Sequence, residues 1–150
     1  MSEVESSRTA TDSRSVESRI VDLAIRLGLL VVSLLSMVLV YALGRRIGDE
    51  WTGAAAGAAY GFLSLAVAVL GTAAHATHFV ALFALAGLVL LLRALESGRN
   101  WQLAASGAVL GLAYTMKQHG VVFAAFGAVW VFRHSRRGLA AYCAGAALPF

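Results

Sequence analysis

Residues 51–92 read WTGAAAGAAYGFLSLAVAVLGTAAHATHFVALFALAGLVLLL, 42 consecutive positions without an Asp, Glu, Lys or Arg. A helix crosses the hydrocarbon core of a bilayer in about 20 apolar residues. The run is therefore too long for one crossing and long enough for two. Thr72, His75, Thr77 and His78 supply a polar hinge near its middle, which predicts a tight helical hairpin with spans near 51–72 and 77–92. The whole composition points the same way: 59% of residues are hydrophobic and only 13% charged, against about 25% charged in ordinary soluble domains. A water-soluble fold of 150 residues could not hide that much apolar surface, so the chain is expected to have the lipid bilayer as its partner.

Working outward, the uncharged run Leu27–Gly44 meets the length of a span narrowly, and further spans are expected near 101–116 and 121–132. Both of the latter are short enough for their polar flanks to enter the interface. Residues Gly138–Phe150 open another apolar run that stops without a closing charged loop. The expected fold class is thus all-α, a polytopic membrane helix bundle of about five transmembrane helices plus the start of a sixth. Residues 1–18, Ser-rich with interspersed charge, have the low hydrophobicity of a disordered polar tail. The transmembrane helical domain is expected over 19–150, incomplete at both ends. From Arg19 the pattern turns amphipathic, with Ile20, Leu23, Ala24 and Leu27 opposite Arg19, Asp22 and Arg26. The charged, partly acidic lead lacks the marks of a cleavable signal peptide.

Charge placement sets orientation. The net charge of +4 forms no basic face with aromatic stacking positions, so no nucleic acid partner is indicated. Instead Arg45 and Arg46, then Arg93 and Arg99, then Arg133, Arg136 and Arg137 fall in alternate loops, which puts all three loops on one side. Cytoplasmic loops are the ones enriched in Lys and Arg, so that side is expected to be the cytoplasm and the chain a multi-pass protein of the plasma (cytoplasmic) membrane. The N-terminal tail, His75, His78 and the Lys117-Gln118-His119 turn then face outward. A four-arginine tail crossing outward is awkward unless an upstream helix precedes it. The single Cys143 supports neither a disulfide framework nor a metal site.

Several residues carry candidate roles. Gly53, Gly57 and Gly61, and again Gly107 and Gly111, have the small-xxx-small spacing that lets neighbouring backbones approach, although Gly and Ala are common in membrane helices generally. Lys117 is the only lysine and ends the fourth span, where it either meets a phosphate or snorkels to anchor the helix. Gly120 permits a sharp turn just beyond it. His75 and His78 sit one helical turn apart, but two histidines without a carboxylate or thiol make an incomplete metal site, so no metal ligands are assigned. They line the outward mouth as hydrogen-bond donors to a polar ligand or simply wet a loop. Trp51 and Trp101 each open a span after a charged loop and read as interfacial anchors. Tyr41, Tyr60 and Tyr114 are candidates to offer hydroxyls inside the bundle. The outward loops after the first span contain no Asp or Glu, so no catalytic general base or divalent-ion site is assigned.

Two segments carry a family resemblance. Val40-Tyr41-Ala42-Leu43-Gly44-Arg45-Arg46 resembles a span end followed by a Gly-Arg-Arg loop, and Gly107-Ala108-Val109-Leu110-Gly111-Leu112-Ala113-Tyr114-Thr115-Met116-Lys117-Gln118 resembles a segment ending in a functional lysine. Both are features of the polytopic GT-C glycosyltransferases, the group that includes protein O-mannosyltransferases and aminoarabinose-transferase-like enzymes, and the similarity extends from about Arg26 to Phe132. The resemblance implies a polyprenyl-phosphate-linked sugar as donor, bound at the outer leaflet, and transfer to an outward-facing acceptor. It implies that Lys117 faces the lipid phosphate, and Gln118, His119, His75 and His78, on the same outward side, are the other candidate lipid-phosphate or substrate-binding residues. It also implies an acidic residue in the first outer loop, after a first span that should lie upstream of Leu27, where only the polar tail stands. The chain is accordingly expected to be a fragment or truncated member of such an enzyme, without the catalytic carboxylate. The other readings are a piece of a small multispan transporter, which fits the glycine packing but lacks the intramembrane charges that usually mark a substrate path, and a noncatalytic membrane scaffold.

Overall fold

The computed structural model describes the backbone of residues 2–70 and 75–150 and the side-chain surroundings of 17–64 and 77–150. Six helices follow one another: α1 (Ser2–Ile47), α2 (Glu50–Leu70), α3 (His75–Ser97), α4 (Asn100–Met116), α5 (Val121–His134) and α6 (Arg136–Ala147), with a 3-10 turn at Gln118–Gly120 before α5. No strand occurs among the described residues. The fold is all-helical. The side chains expected to form the polar tail, up to residue 16, and the hinge residue Thr72 lie outside the described residues. Two stretches, Glu17–Ile47 and Thr77–Ser97, are long and apolar enough to cross a membrane.

The chain divides into two compact units, Met1–Val31 and Val32–Phe150. In the first, the described part of α1 leaves Ile20, Val21, Leu23, Ile25, Leu27, Leu30 and Val31 all exposed. Apolar side chains on every face of a helix belong in lipid or against a partner rather than in water. The second unit holds the end of α1 and all of α2 to α6.

There α1 and α2 form an antiparallel hairpin whose register follows from its glycines. Gly53 faces the Tyr41 carbonyl, where an added Cβ would sit 2.8 Å away, and Gly61 faces the Met37 sulfur at 3.3 Å. The turn is fixed by Asp49, whose Oδ1 accepts the Thr52 N–H at 2.8 Å and the Thr52 hydroxyl at 2.6 Å. This satisfies one of the orphan amides at the start of α2. Helices α3 and α4 are joined through Gly98, whose φ of +67° is a conformation L side chains rarely adopt. Across this antiparallel pair the buried Ser106 hydroxyl donates to the Gly87 carbonyl at 2.8 Å.

The core is a cluster of Leu91 and Ala94 from α3, Leu103 and Leu110 from α4, Val131 from α5 and Tyr142 from α6. Helix α6 runs parallel to α4: Gly138 packs on Leu103, Gly107 on Tyr142 and Gly111 on Ala146. Tyr142 reaches between helices, its hydroxyl donating to the Ala124 carbonyl of α5 at 2.8 Å. Ser135 caps α6 by accepting the Gly138 N–H at 3.2 Å. Around this centre the side chains of α5 from Val121 to Phe132 are mostly exposed.

This arrangement gathers the three arginine-bearing loops at one end. Arg46 at the end of α1 donates from Nη1 to both oxygens of Glu96 near the end of α3, at 2.9 and 2.8 Å. The contact of Gly138 with Leu103 brings the α5–α6 turn beside the start of α4. The opposite end holds the start of α3, the end of α4 and the start of α5.

Candidate functional site

At that opposite end α4 stops at Lys117, which leaves the helical region (φ −162°, ψ 139°) while its N–H still donates to the Ala113 carbonyl. The chain then makes the 3-10 turn, and the Gly120 N–H closes it on the Lys117 carbonyl at 2.8 Å. Gly120 itself keeps right-handed helical angles (φ −60°, ψ −23°), so glycine's freedom of φ is not what the turn uses. It is needed for space, because a Cβ there would overlap the backbone of Ala113. Close approach therefore folds α5 back against α4 and pushes the intervening side chains outward.

The result is an open recess of about 450 Å3 lined by Tyr114, Thr115, Met116, Lys117, Gln118 and His119. The Thr115 hydroxyl is taken up by the Leu112 carbonyl at 2.8 Å. The Tyr114 ring leans on Phe150, with centroids 5.2 Å apart and planes tilted by 58°, because parallel α6 delivers its C-terminal side to this end. Lys117 is exposed, and its ammonium has no ion pair or hydrogen bond among the described residues. The described side-chain carboxylates of residues 32–150 are Asp49, Glu50 and Glu96, all at the arginine end. The recess thus carries a cation with no counter-ion among the described side chains, bordered by aromatic and thioether surface, a combination that suits an anionic group attached to an apolar chain.

Of the residues singled out from the sequence, Lys117, Gln118 and His119 come together in this recess. His78 is half-buried in the first turn of α3, at the same end by the antiparallel register, and does not line it. The side chain of His75 lies outside the described residues. The structure adds Thr115, Met116 and the Tyr114–Phe150 pair. Tyr114 was visible as an aromatic one turn before the lysine, but nothing in the sequence links it to Phe150. No three His, Cys, Asp or Glu side chains gather as metal ligands among the described residues.

The family model described as dolichyl-phosphate-mannose-protein mannosyltransferase matches residues 18–147. The chain belongs to this family. The GT-C glycosyltransferase resemblance is thereby borne out, and the match includes both motif segments and the recess residues from Tyr114 to His119. No curated protein and no solved structure matches the chain significantly. Membership in a membrane-integral family accounts for the exposed apolar surface of α1, one of the two stretches apolar and long enough to span.

Proposed function

We propose that this chain forms part of the membrane-embedded core of an enzyme that transfers a sugar, mannose by the family's description, from a polyprenyl-phosphate carrier to an outward-facing acceptor. The observation that carries the reading is Lys117, an unpaired cation on an open recess at the end of the bundle remote from the arginine loops. Lys117 meets the carrier phosphate. Gln118 and His119 offer hydrogen bonds to the phosphate or sugar, with His78 and His75 at the outer edge. Helices α2, α4 and α5 complete five crossings with the two apolar stretches, and α6 opens a sixth. Helix α5, 14 residues and so about 21 Å long, spans only with its polar flanks in the interface. The arginine end faces the cytoplasm of a plasma membrane. The group that activates the acceptor comes from outside residues 32–150, whose described carboxylates stand at the wrong end.

The test is a polyprenyl-phosphate titration of the purified chain in one detergent, as wild type, Lys117→Arg and Lys117→Met. A hydrogen bond to a charged group is worth about 1.5–3 kcal/mol. Lys117→Met should therefore bind roughly ten- to hundredfold more weakly, at about 1.4 kcal/mol per factor of ten, while Lys117→Arg stays close to wild type. Equal affinities across the three would make Lys117 an interfacial anchor and remove the site.

A further inference from the structure

The arginine end carries seven arginines against three carboxylates among residues 32–150, and their surroundings separate them into two groups. Arg46 is held by Glu96, Arg45 lies over the Tyr41 ring at 5.9 Å and Arg136 lies over the Phe132 ring at 5.3 Å. The side chains of Arg93, Arg99, Arg133 and Arg137 are exposed, and none of these guanidinium groups has an ion pair, hydrogen bond or ring contact among the described residues. Three of these stand on adjoining turns: Arg99 caps the start of α4, and Arg133 and Arg137 flank Ser135, where Gly138 packs on Leu103.

The surface beside them is apolar. Val129, Trp130 and Phe132 of α5 are exposed, with Trp130 stacked on Phe126 at 5.9 Å, and this strip leads directly to Arg133. Trp51 and Trp101, 83% and 64% exposed, stand at the same end, where indoles prefer the headgroup layer. Unpaired cations above an uncovered apolar strip match one kind of molecule, an anion that carries hydrocarbon.

We infer that Arg99, Arg133 and Arg137 form a binding surface for the headgroup of an anionic phospholipid, with its acyl chains laid along the exposed face of α5. The inference does not depend on the glycosyltransferase reading. A free anion would use the arginines alone, whereas a phospholipid uses both surfaces. Neutral lipid would use only the strip.

The experiment measures lipid retained by the purified full chain in neutral detergent, by native mass spectrometry, with phosphatidylglycerol and phosphatidylcholine of the same acyl chains as probes. Wild type should bind phosphatidylglycerol in preference, and raised salt should erode the preference. Each Arg→Gln change should weaken it about fivefold, so the triple Arg99→Gln, Arg133→Gln, Arg137→Gln variant loses roughly a hundredfold. A triple Arg→Lys variant should retain the preference, which separates charge from any loss of folding, and the single Arg137→Gln variant reports the effect in a less altered chain. Equal binding of the two lipids, an unchanged triple Gln variant, or competition by soluble glycerol phosphate as strong as by phosphatidylglycerol would each overturn it.

Discussion

A methyl group added at Gly107 of α4 would overlap the Tyr142 carbonyl of α6, one at Gly111 would lie 2.5 Å from the Ala146 carbonyl, and one at Gly145 would overlap the Ala104 carbonyl. In the α1–α2 hairpin the same addition at Gly57 meets the Tyr41 Cβ at 3.4 Å, and at Gly61 the Met37 sulfur at 3.3 Å. Both pairs carry glycines at four-residue spacing, but the groups they face differ. Backbone faces backbone between α4 and α6, while flexible side chain lies between α1 and α2 toward the far end of the hairpin. A thioether can turn aside, whereas a helical carbonyl moves only with its whole helix. The same motif therefore marks a rigid seam along α4 and α6, whereas the α1–α2 seam, backbone-tight at Gly53, becomes adjustable toward Gly61.

Adding the methyl in both places tests this difference directly. Gly107→Ala should cost about 3 kcal/mol, the upper part of the usual overpacking range, because the obstruction is backbone. Gly61→Ala should cost less than about 1 kcal/mol, since Met37 can repack. Reversible unfolding of the two variants in mixed micelles checks the pair. Equal costs would mean that glycine spacing alone, and not the facing group, decides tolerance.

A smaller effect sharpens the account of the rigid side. Ser106 sits on α4 one residue before Gly107 and donates to Gly87 of α3, so the close seam with α6 and a polar tie to α3 share one stretch of helix. Interhelical hydrogen bonds in membranes average about 0.6 kcal/mol, with a maximum near 1.7. Ser106→Ala should fall in that range and leave Gly107→Ala the dominant perturbation. A Ser106→Ala cost that exceeds the Gly107→Ala cost would make the hydrogen bond, and not backbone proximity, the organising contact of α4.

Much of this fold was legible in the sequence, and what was missed follows a pattern. The span expected at 101–116 coincides with α4 apart from Asn100, and that at 51–72 begins one residue after α2 does, its last two residues lying outside the described ones. The span expected at 77–92 stops short: α3 continues to Ser97, through Arg93 and Glu96. Charge marks where a helix leaves apolar surroundings, but a helix can go on for a turn or more with charged side chains in water. The glycines of α4 were legible as a packing face, yet their partner was not. The parallel run of α6 has no signal in local spacing. The site divides the same way. Lys117, Gln118 and His119 are contiguous and were visible as a polar turn, while the Tyr114–Phe150 wall joins residues 36 apart through the docking of α6.

The last and smallest effect belongs to the adjustable side, because only the α1–α2 turn is fixed by a titratable group. Asp49 is fully exposed, and its carboxyl lies below the usual carboxylate range because the Thr52 hydroxyl, first, and the Thr52 amide donate to it. A carboxylate whose pKa is lower in the folded state stabilises that state at all pH values above its unfolded pKa, about 3.9. The contribution fades as pH falls through the folded value, once the native state must also take up the proton. Acidification below about pH 4 should therefore fray the start of α2 while leaving the α4–α6 seam, which has no carboxylate, as it was. Hydrogen exchange read separately at the α2 and α4 amides checks this. Wild type should lose protection in the first turn of α2 as the pH drops, once the intrinsic pH dependence of exchange is corrected for. Asp49→Asn, which keeps an acceptor but cannot titrate, should show a constant level. Parallel loss in α4, or the same pH response in Asp49→Asn, would mean that the acid sensitivity arises elsewhere and that the turn does not set the two pairs apart.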